Sequence, residues 1–343
     1  MGEKYFFLLS GFDKELPYGE LRALISILHP EHEIIKKDSR IVVVKTLKDV
    51  AEEIVDRSAY TKLSARLIFE IDTNEKDILS SINTSLLKDI IPSNSTILVR
   101  GLTINGASLN KTELEKKIGS LIIDEIPSLK VDLRNPESTV VFISSPEKTY
   151  IGILQKIKPK RVFYYRVAGR RPFTLPSAMQ PDLSRCLVNL SRTMIGGRIL
   201  DPFAGTGGIM IEAILLGYQV YGVELKKWIA QGALRNLKYY TPSLENMVIG
   251  DARKLMFRKY FDSIVTDPPY GRSTTVPDHS LTNLLEKFLY ESRNCLKDGG
   301  TITLVTPENI WIEDTASEAG YVLQESYRIK IHRSLIRKIM VFK

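Results

Sequence analysis

The sequence predicts an α/β protein in which a mostly parallel, helix-covered sheet fills the region from Asp182 onward, preceded by a smaller α+β region. Three observations carry this expectation. Strand-like and helix-like stretches alternate strictly beyond Asp182. A glycine-rich turn, Asp201-Pro202-Phe203-Ala204-Gly205-Thr206-Gly207-Gly208, joins a strand-like run to an apolar helix-like one. Four successive strand-like runs each stop at an acid: Asp201, Glu224, Asp251 and Asp267. In a parallel sheet these acids share the carboxyl edge, where such folds bind ligands.

Taken in order, 5–9 and 40–44 read as strands, and 18–28 and 48–60 have helical periodicity. A second unit follows, with a strand at 66–70, a helix at 77–89, a strand at 96–100 and a helix at 111–122 capped by Asn110. Residues 131–133 and 139–143 read as a strand pair around the turn Arg134-Asn135-Pro136-Glu137. The expected division is a ferredoxin-like subdomain (1–60), a second small α+β unit (61–155), a basic linker (156–181) and the large sheet domain (182–343). In the last, strands are expected at 197–200, 219–223, 246–249, 263–266, 300–305, 321–331 and 338–342, the final two forming a hairpin. Helices are expected at 209–216, 226–239, 279–296 and 312–319.

At 343 residues, with 43% hydrophobic and 26% charged residues, the chain has the make-up of an ordinary globular protein of two or three domains. No apolar run approaches a membrane span, and the short N-terminal patch is better read as a first strand than as a signal sequence. Two distant cysteines, Cys186 and Cys295, exclude a disulfide framework and fit a reducing cytoplasm; no metal-ligand spacing occurs. The net charge of +8 is uneven. Residues 1–155 hold 20 Lys+Arg against 23 Asp+Glu, and residues 156–343 hold 28 against 17. A basic second half suits a polyanionic partner.

Asp267-Pro268-Pro269-Tyr270 follows the apolar run 263–266. Two prolines fix φ and remove two backbone donors, so the strand ends abruptly and presents Asp267. A carboxylate and a freed carbonyl can accept both hydrogens of an exocyclic amine on a flat base, and Tyr270 can stack on the ring. A plain strand-ending turn is the competing reading of these four residues alone. The glycine loop lacks the Gly-Lys-Ser/Thr of a phosphate loop. Asp201 at its start repels phosphate and suits the cationic methionine end of S-adenosylmethionine. Glu224, about 20 residues on, is placed to accept ribose hydroxyls, and Asp251 to meet an adenine amino group. Between the halves, Lys156, Lys158, Lys160, Arg161, Arg166, Arg170 and Arg171 occur with no acid before Asp182, a pattern fitting RNA phosphates or a solvated connector.

On these motifs, residues 197–310 resemble a class I S-adenosylmethionine-dependent methyltransferase of the amino-methylating kind, with a Rossmann-like seven-stranded sheet. The chain resembles in particular the tRNA guanosine-10 N2-methyltransferase family. That likeness rests on Arg171-Pro172-Phe173, Pro176, Met179-Gln180-Pro181, Leu183, Arg185 and Val188-Asn189-Leu190. The Asp201–Gly208 loop, Thr266–Gly271 with Arg272, and the tail from His332 to Ile339 extend it. The first half is similar in layout to a ferredoxin-like unit followed by a THUMP RNA-binding domain. The resemblance implies methylation of the N2 amine of guanosine in tRNA, at position 10. It implies that Asp201 and Gly205 meet the methionine part of the cofactor, Glu224 the ribose, and Asp251 with Ala252 the adenine. Phe203, Ala204, Thr206, Gly207, Leu225, Thr174 and Pro176 complete that pocket. Asp267, Pro268, Pro269 and Tyr270 take the guanine, which must be flipped out of its stem, with Phe173 a further stacking candidate. Lys158, Lys160, Arg161, Arg166, Arg170, Arg171 and Arg272 are the RNA-contact candidates. His332, Arg333, Arg337 and Lys338 either face RNA or solvate an edge strand. The expected protein is cytoplasmic and monomeric, with an activating small subunit left open. Competing readings are an N2-guanine enzyme for another tRNA position or rRNA, and a non-catalytic RNA-binding protein with a relic cofactor fold.

Overall fold

The structure is a computed structural model that describes residues 2–47, 49–241, 246–270, 281–332 and 335–343. The chain divides into two compact units. The first comprises Met1–Lys14, His29–Asp56 and Thr61–Lys158; the second comprises Glu15–Leu28, Arg57–Tyr60 and Pro159–Lys343.

In the first unit, strands β1 (Glu3–Leu9), β2 (Glu33–Asp38), β3 (Ile41–Thr46), β4 (Thr61–Asp72), β5 (Thr96–Thr103), β6 (Lys130–Val131), β7 (Ser138–Ser144) and β8 (Lys148–Ile157) form one sheet in the order β2-β3-β1-β4-β8-β7-β5-β6. The sheet runs on across the expected boundary at residue 60. Strand β4 pairs with β1 along one side and with β8 along the other, which fuses the two small units into a single sheet. The expected 131–143 hairpin is also corrected: β6 and β7 lie on opposite sides of β5, both parallel to it. Asp132 Oδ1 accepts the amides of Arg134 and Asn135, and Glu137 N donates to Thr96 O, so the turn passes round the start of β5. Helix α1 (Leu16–Leu28) belongs to the second unit. Helix α2 (Ala51–Arg57) starts later than expected, where Asp49 accepts the Ala51 amide. The helix expected at 77–89 is two, α3 (Glu75–Ser81) and α4 (Thr84–Lys88), because Asn83 caps a new start. Helix α5 (Lys111–Glu125) opens on Asn110 as expected, its side chain accepting from Glu113 N at 3.2 Å.

In the second unit, two short 3₁₀ turns (Tyr164–Arg166 and Ala168–Arg170) lead into α6 (Pro181–Leu190), which begins on a proline. Strands and helices then alternate: β9 (Arg198–Asp201), α7 (Gly208–Leu215), β10 (Gln219–Glu224), α8 (Lys227–Tyr240), β11 (Met247–Ile249), β12 (Phe261–Thr266), α9 (Leu281–Cys295), β13 (Leu296–Pro307), α10 (Glu313–Glu318), β14 (Leu323–His332) and β15 (Leu335–Phe342). The sheet order is β11-β10-β9-β12-β13-β15-β14. The first five strands are mutually parallel; β15 runs antiparallel to them, and β14, antiparallel to β15, runs in their direction again. Both sheet faces carry buried apolar clusters, one containing Leu187, Ile211 and Leu237, the other Leu285, Phe288 and Ile312. Such two-sided burial is what a parallel sheet requires.

Helix α1 is built into this core. Glu20, fully buried, accepts Ser58 Oγ (2.7 Å), Ala59 N (2.6 Å), Tyr60 N (2.9 Å) and Asn189 Nδ2 (2.7 Å). A Cβ on Gly19 would stand 2.0 Å from the Tyr327 hydroxyl, so the helix approaches the β14 side chain as closely as glycine allows.

Candidate active site

The parallel pairing places the carboxyl ends of β11, β10, β9 and β12 side by side, and the acids follow in that order as Asp251, Glu224, Asp201 and Asp267. Between β9 and α7 the chain turns through Gly205 (φ 51°) and Gly207 (φ 80°), a backbone region side chains resist. A Cβ at Gly205 would meet only Phe203 O, at 3.8 Å, so the loop there is open to an incoming ligand. Ala204 N donates to Val223 O, which pins the loop over β10.

The four acids have different environments. Asp201 is 1% exposed; its Oδ1 accepts from Thr266 Oγ1 (2.7 Å) and Phe203 N (3.3 Å). Burial pushes its pKa up to about 7 against those hydrogen bonds, with the negative charges of Asp267 and Glu224 adding to the rise. Glu224 is half-buried, with Oε2 accepting from Gly205 N (3.0 Å) and Oε1 from Lys226 N (2.9 Å). Asp251 is held by Arg253, whose Nε lies 3.0 Å from both oxygens and whose Nη2 lies 2.7 Å from Oδ2; those bonds hold its pKa below the ordinary carboxylate value. Leu225 and Ile249 are both exposed beside this edge, Ile249 being the strand partner of Glu224.

Asp267 closes the series. Burial raises its pKa to about 6, opposed by the Arg337 guanidinium, whose Nη1 lies 3.5 Å from Oδ2. Asp267 Oδ1 has no hydrogen-bond partner among the described residues. The Tyr270 hydroxyl neighbours this carboxyl but makes no well-aligned hydrogen bond among the described residues. Burial raises the Tyr270 pKa, and the Arg337 guanidinium lies 5.4 Å from its ring centroid. Pro268 is buried, with Pro269 half-buried beside it.

The segment expected to be a basic linker divides sharply, and two RNA-contact candidates are corrected. Arg166 Nε pairs with the buried Glu212 at 2.6 Å, and Arg185 Nε reaches the same carboxylate at 2.9 Å. Arg171, 6% exposed, donates to Arg166 O and Met179 O, and a Cβ on Gly208 would lie 2.9 Å from its Nη1. Arg166 and Arg171 are therefore internal braces behind the glycine loop, because Glu212 and nearby carbonyls satisfy them better than solvent does. Lys158 Nζ is turned onto Val55 O in the first unit. Lys160, Arg161 and Arg170 remain exposed; Arg161 and Arg170 lie over the ring of Tyr164, and the neighbouring Tyr165 is 66% exposed. Exposed cations interleaved with aromatic faces suit nucleic acid, and the tyrosines are the part that charge counting missed. Arg272 lies outside the described residues, as does Arg333, and the His332 side chain is not described. Lys338 is not an RNA contact: it is buried, paired with Glu313 and placed over Trp311. Its strand is not an edge, since β15 lies between β13 and β14.

Phe173 is also corrected as a stacking candidate for a base. Its ring fills the space left by Gly232, where a Cβ would stand 2.1 Å away, and meets Trp228 edge-on at 6.0 Å. Asn236 stitches this segment to the glycine loop: Nδ2 donates to Phe173 O (2.8 Å) and Thr206 O (2.9 Å), while Oδ1 accepts Phe173 N (2.8 Å). Thr174 and Pro176, both exposed, follow directly from that anchor.

A parallel sheet with an open glycine loop and an acidic carboxyl edge defines a methyltransferase-type α/β domain, and comparison with known proteins agrees. Residues 168–338 match the RMKL-like methyltransferase domain, and residues 72–154 match the THUMP domain. The chain is 31% identical to the tRNA (guanine(10)-N2)-dimethyltransferase of Methanothermobacter thermautotrophicus across 98% of both chains, and 32% identical to that of Pyrococcus abyssi across 97% of both. Its fold is shared with TrmN from Thermus thermophilus, with a TM-score of 0.55 at 20% identity over 99% of both chains. The protein belongs to the tRNA (guanine(10)-N2)-dimethyltransferase family.

Proposed function

We propose that this protein methylates the exocyclic N2 amine of guanosine 10 in tRNA, with S-adenosylmethionine as donor, and proceeds to the dimethylated base. The observation that carries the reading is Asp267: a carboxylate at the end of β12 whose buried Oδ1 has no hydrogen-bond partner among the described residues, two strand ends from the ribose candidate Glu224. The names of relatives that match nearly end to end favour position 10 and dimethylation.

The residues fit the cofactor on their own chemistry. An acidic edge rejects phosphate and accepts a cation and hydroxyls, and the loop at Gly205 is open. Glu224 is the ribose acceptor, already oriented by two backbone amides; Asp251 and the buried Ala252 bound the adenine side; Asp201 faces the cationic end. Phe203, Ala204, Thr206, Gly207 and Leu225 line the pocket, with Thr174 and Pro176 against the loop. The bound cofactor supplies an electrophilic methyl group.

This chain's contribution on the substrate side is to make a poor nucleophile usable. The guanine amine is delocalised into its ring, so Asp267 Oδ1 and the Pro268 carbonyl accept its hydrogens and orient the nitrogen lone pair toward the methyl. Pro269 stiffens the turn, Tyr270 stacks on the flipped base, and Asp267 is placed to receive the departing proton. Lys160, Arg161 and Arg170 contact phosphates, with Tyr164 and Tyr165 as stacking partners. The two buried cysteines, neither in a disulfide, suit a reducing cytoplasm, no helix of the described residues is long and apolar enough to cross a membrane, and the working unit is the monomer.

The test is methylation of an unmodified tRNA transcript with labelled cofactor, followed by mapping of the modified nucleotide. N2,N2-dimethylguanosine at position 10 is expected. Label at guanosine 6 or 26 would keep the chemistry and reject the position; label on adenine would reject the reading.

A further inference from the structure

The tail of the sequence carries a cation, Arg337, beside the acidic edge. Arg337 lies on β15, which runs antiparallel to β13, and its strand partner there is Pro307, the last residue of β13. Since β13 is parallel to β12, this register delivers Arg337 to the same carboxyl edge as the acids. Its neighbour Lys338 projects to the other face and is engaged by Glu313. The Arg337 side chain is 12% exposed, with Nη1 3.5 Å from Asp267 Oδ2 and its guanidinium carbon 5.4 Å from the Tyr270 ring centroid. Three buried polar atoms converge here without hydrogen-bond partners among the described residues: Asp267 Oδ1, Tyr270 Oη and Arg337 Nε.

We propose that Arg337 is a positioning residue for amine methylation, acting through Asp267: it occupies Oδ2, keeps the carboxyl ionised in a water-poor pocket, and leaves Oδ1 as the acceptor for the substrate amine. This rests on the functional reading above. The charged groups facing Asp267 among the described residues are Arg337 from β15 and Asp201 from β9, with Tyr270 from its own turn. Asp201 disfavours ionisation of Asp267, and Arg337 is the cation that opposes it.

The test uses the full-length protein with an unmodified tRNA transcript, comparing wild type, Arg337→Met and Arg337→Lys across pH 5.5–9. Guanosine methylation by wild type establishes the underlying reading; its absence would count against that reading and not against this one. For Arg337→Met, kcat near pH 6.5 is expected to fall about a hundredfold. Its acid limb should move to higher pH, so that part of the rate returns by pH 8.5. Cofactor affinity by calorimetry and KM for tRNA should stay within about threefold, and Arg337→Lys should restore the acid limb to within about half a pH unit of wild type. A pH–rate profile for Arg337→Met that superposes on wild type after scaling, or a loss equal at every pH that lysine does not repair, would overturn the proposal and leave Arg337 a structural residue of β15.

Discussion

The inner and outer acids of one sheet edge have been made differently. Glu224 and Asp251 have both carboxylate oxygens engaged, the first by two backbone amides and the second by a chelating arginine. Burial raises the pKa values of Asp201 and Asp267 to about 7 and about 6, and one Asp267 oxygen has no hydrogen-bond partner among the described residues. A neutral ligand group such as a ribose hydroxyl needs an acceptor that is already oriented, which the outer pair provides. A cation or a reacting amine gains most from a carboxylate with little solvation to lose, which the inner pair provides.

Three experiments would break or sharpen that contrast. The largest effect is expected from Asp267→Ala: turnover should fall about a thousandfold with cofactor affinity by calorimetry little changed, since the lost acceptor serves the amine alone. An equal loss of affinity would merge the two roles. Asp201→Asn comes next. Cofactor binding should weaken about a hundredfold, a size expected for a buried, charge-assisted contact. The same variant carries a pH signature. The folded chain holds protons on Asp201 and Asp267 that the unfolded chain has released near 3.8, so their contribution to stability is fullest below that value and is lost as pH rises through about 6 and 7. Thermal unfolding of the cofactor-free protein should therefore show the variant gaining on wild type between pH 5 and 8; a constant difference would remove Asp201 as the source. The smallest effect belongs to Glu224→Gln, where one oxygen acceptor survives. About a tenfold loss of cofactor affinity is expected, read by calorimetry.

The carboxyl-edge acids were legible because a parallel sheet aligns whatever ends its strands, so alternation and four terminal acids locate the edge. Fates within a charge run were not. Lys160, Arg161 and Arg170 look the same in sequence as Arg166 and Arg171, yet Arg166 is internal because Glu212, on a helix some 40 residues on, supplies a buried counter-charge, and Arg171 because the carbonyls of Arg166 and Met179 accept its guanidinium. Nothing local announces that pairing. Strand β2 was hidden for a different reason: as an edge strand it carries Glu33, Lys36, Lys37 and Asp38, which blunt the apolar alternation. Strand β8 is an apolar run at Tyr150-Ile151-Gly152-Ile153-Leu154, but a closed hairpin over 131–143 leaves no place for a partner on the far side of β7. In sequence Arg337 is only one charge among several, since its register opposite Pro307 depends on where β15 inserts.

The placement of α1 has a consequence for synthesis. Helix α1 emerges from the ribosome early, but Asn189 and Tyr327, which it packs against, are made some 170 and 310 residues later. Its buried Glu20 must wait for them while the sheet strands on either side of it in sequence are already able to pair. The nascent chain thus carries a half-sheltered helix through most of its translation. A C-terminal fragment starting at Pro159 would begin life without the segment that fills its own core.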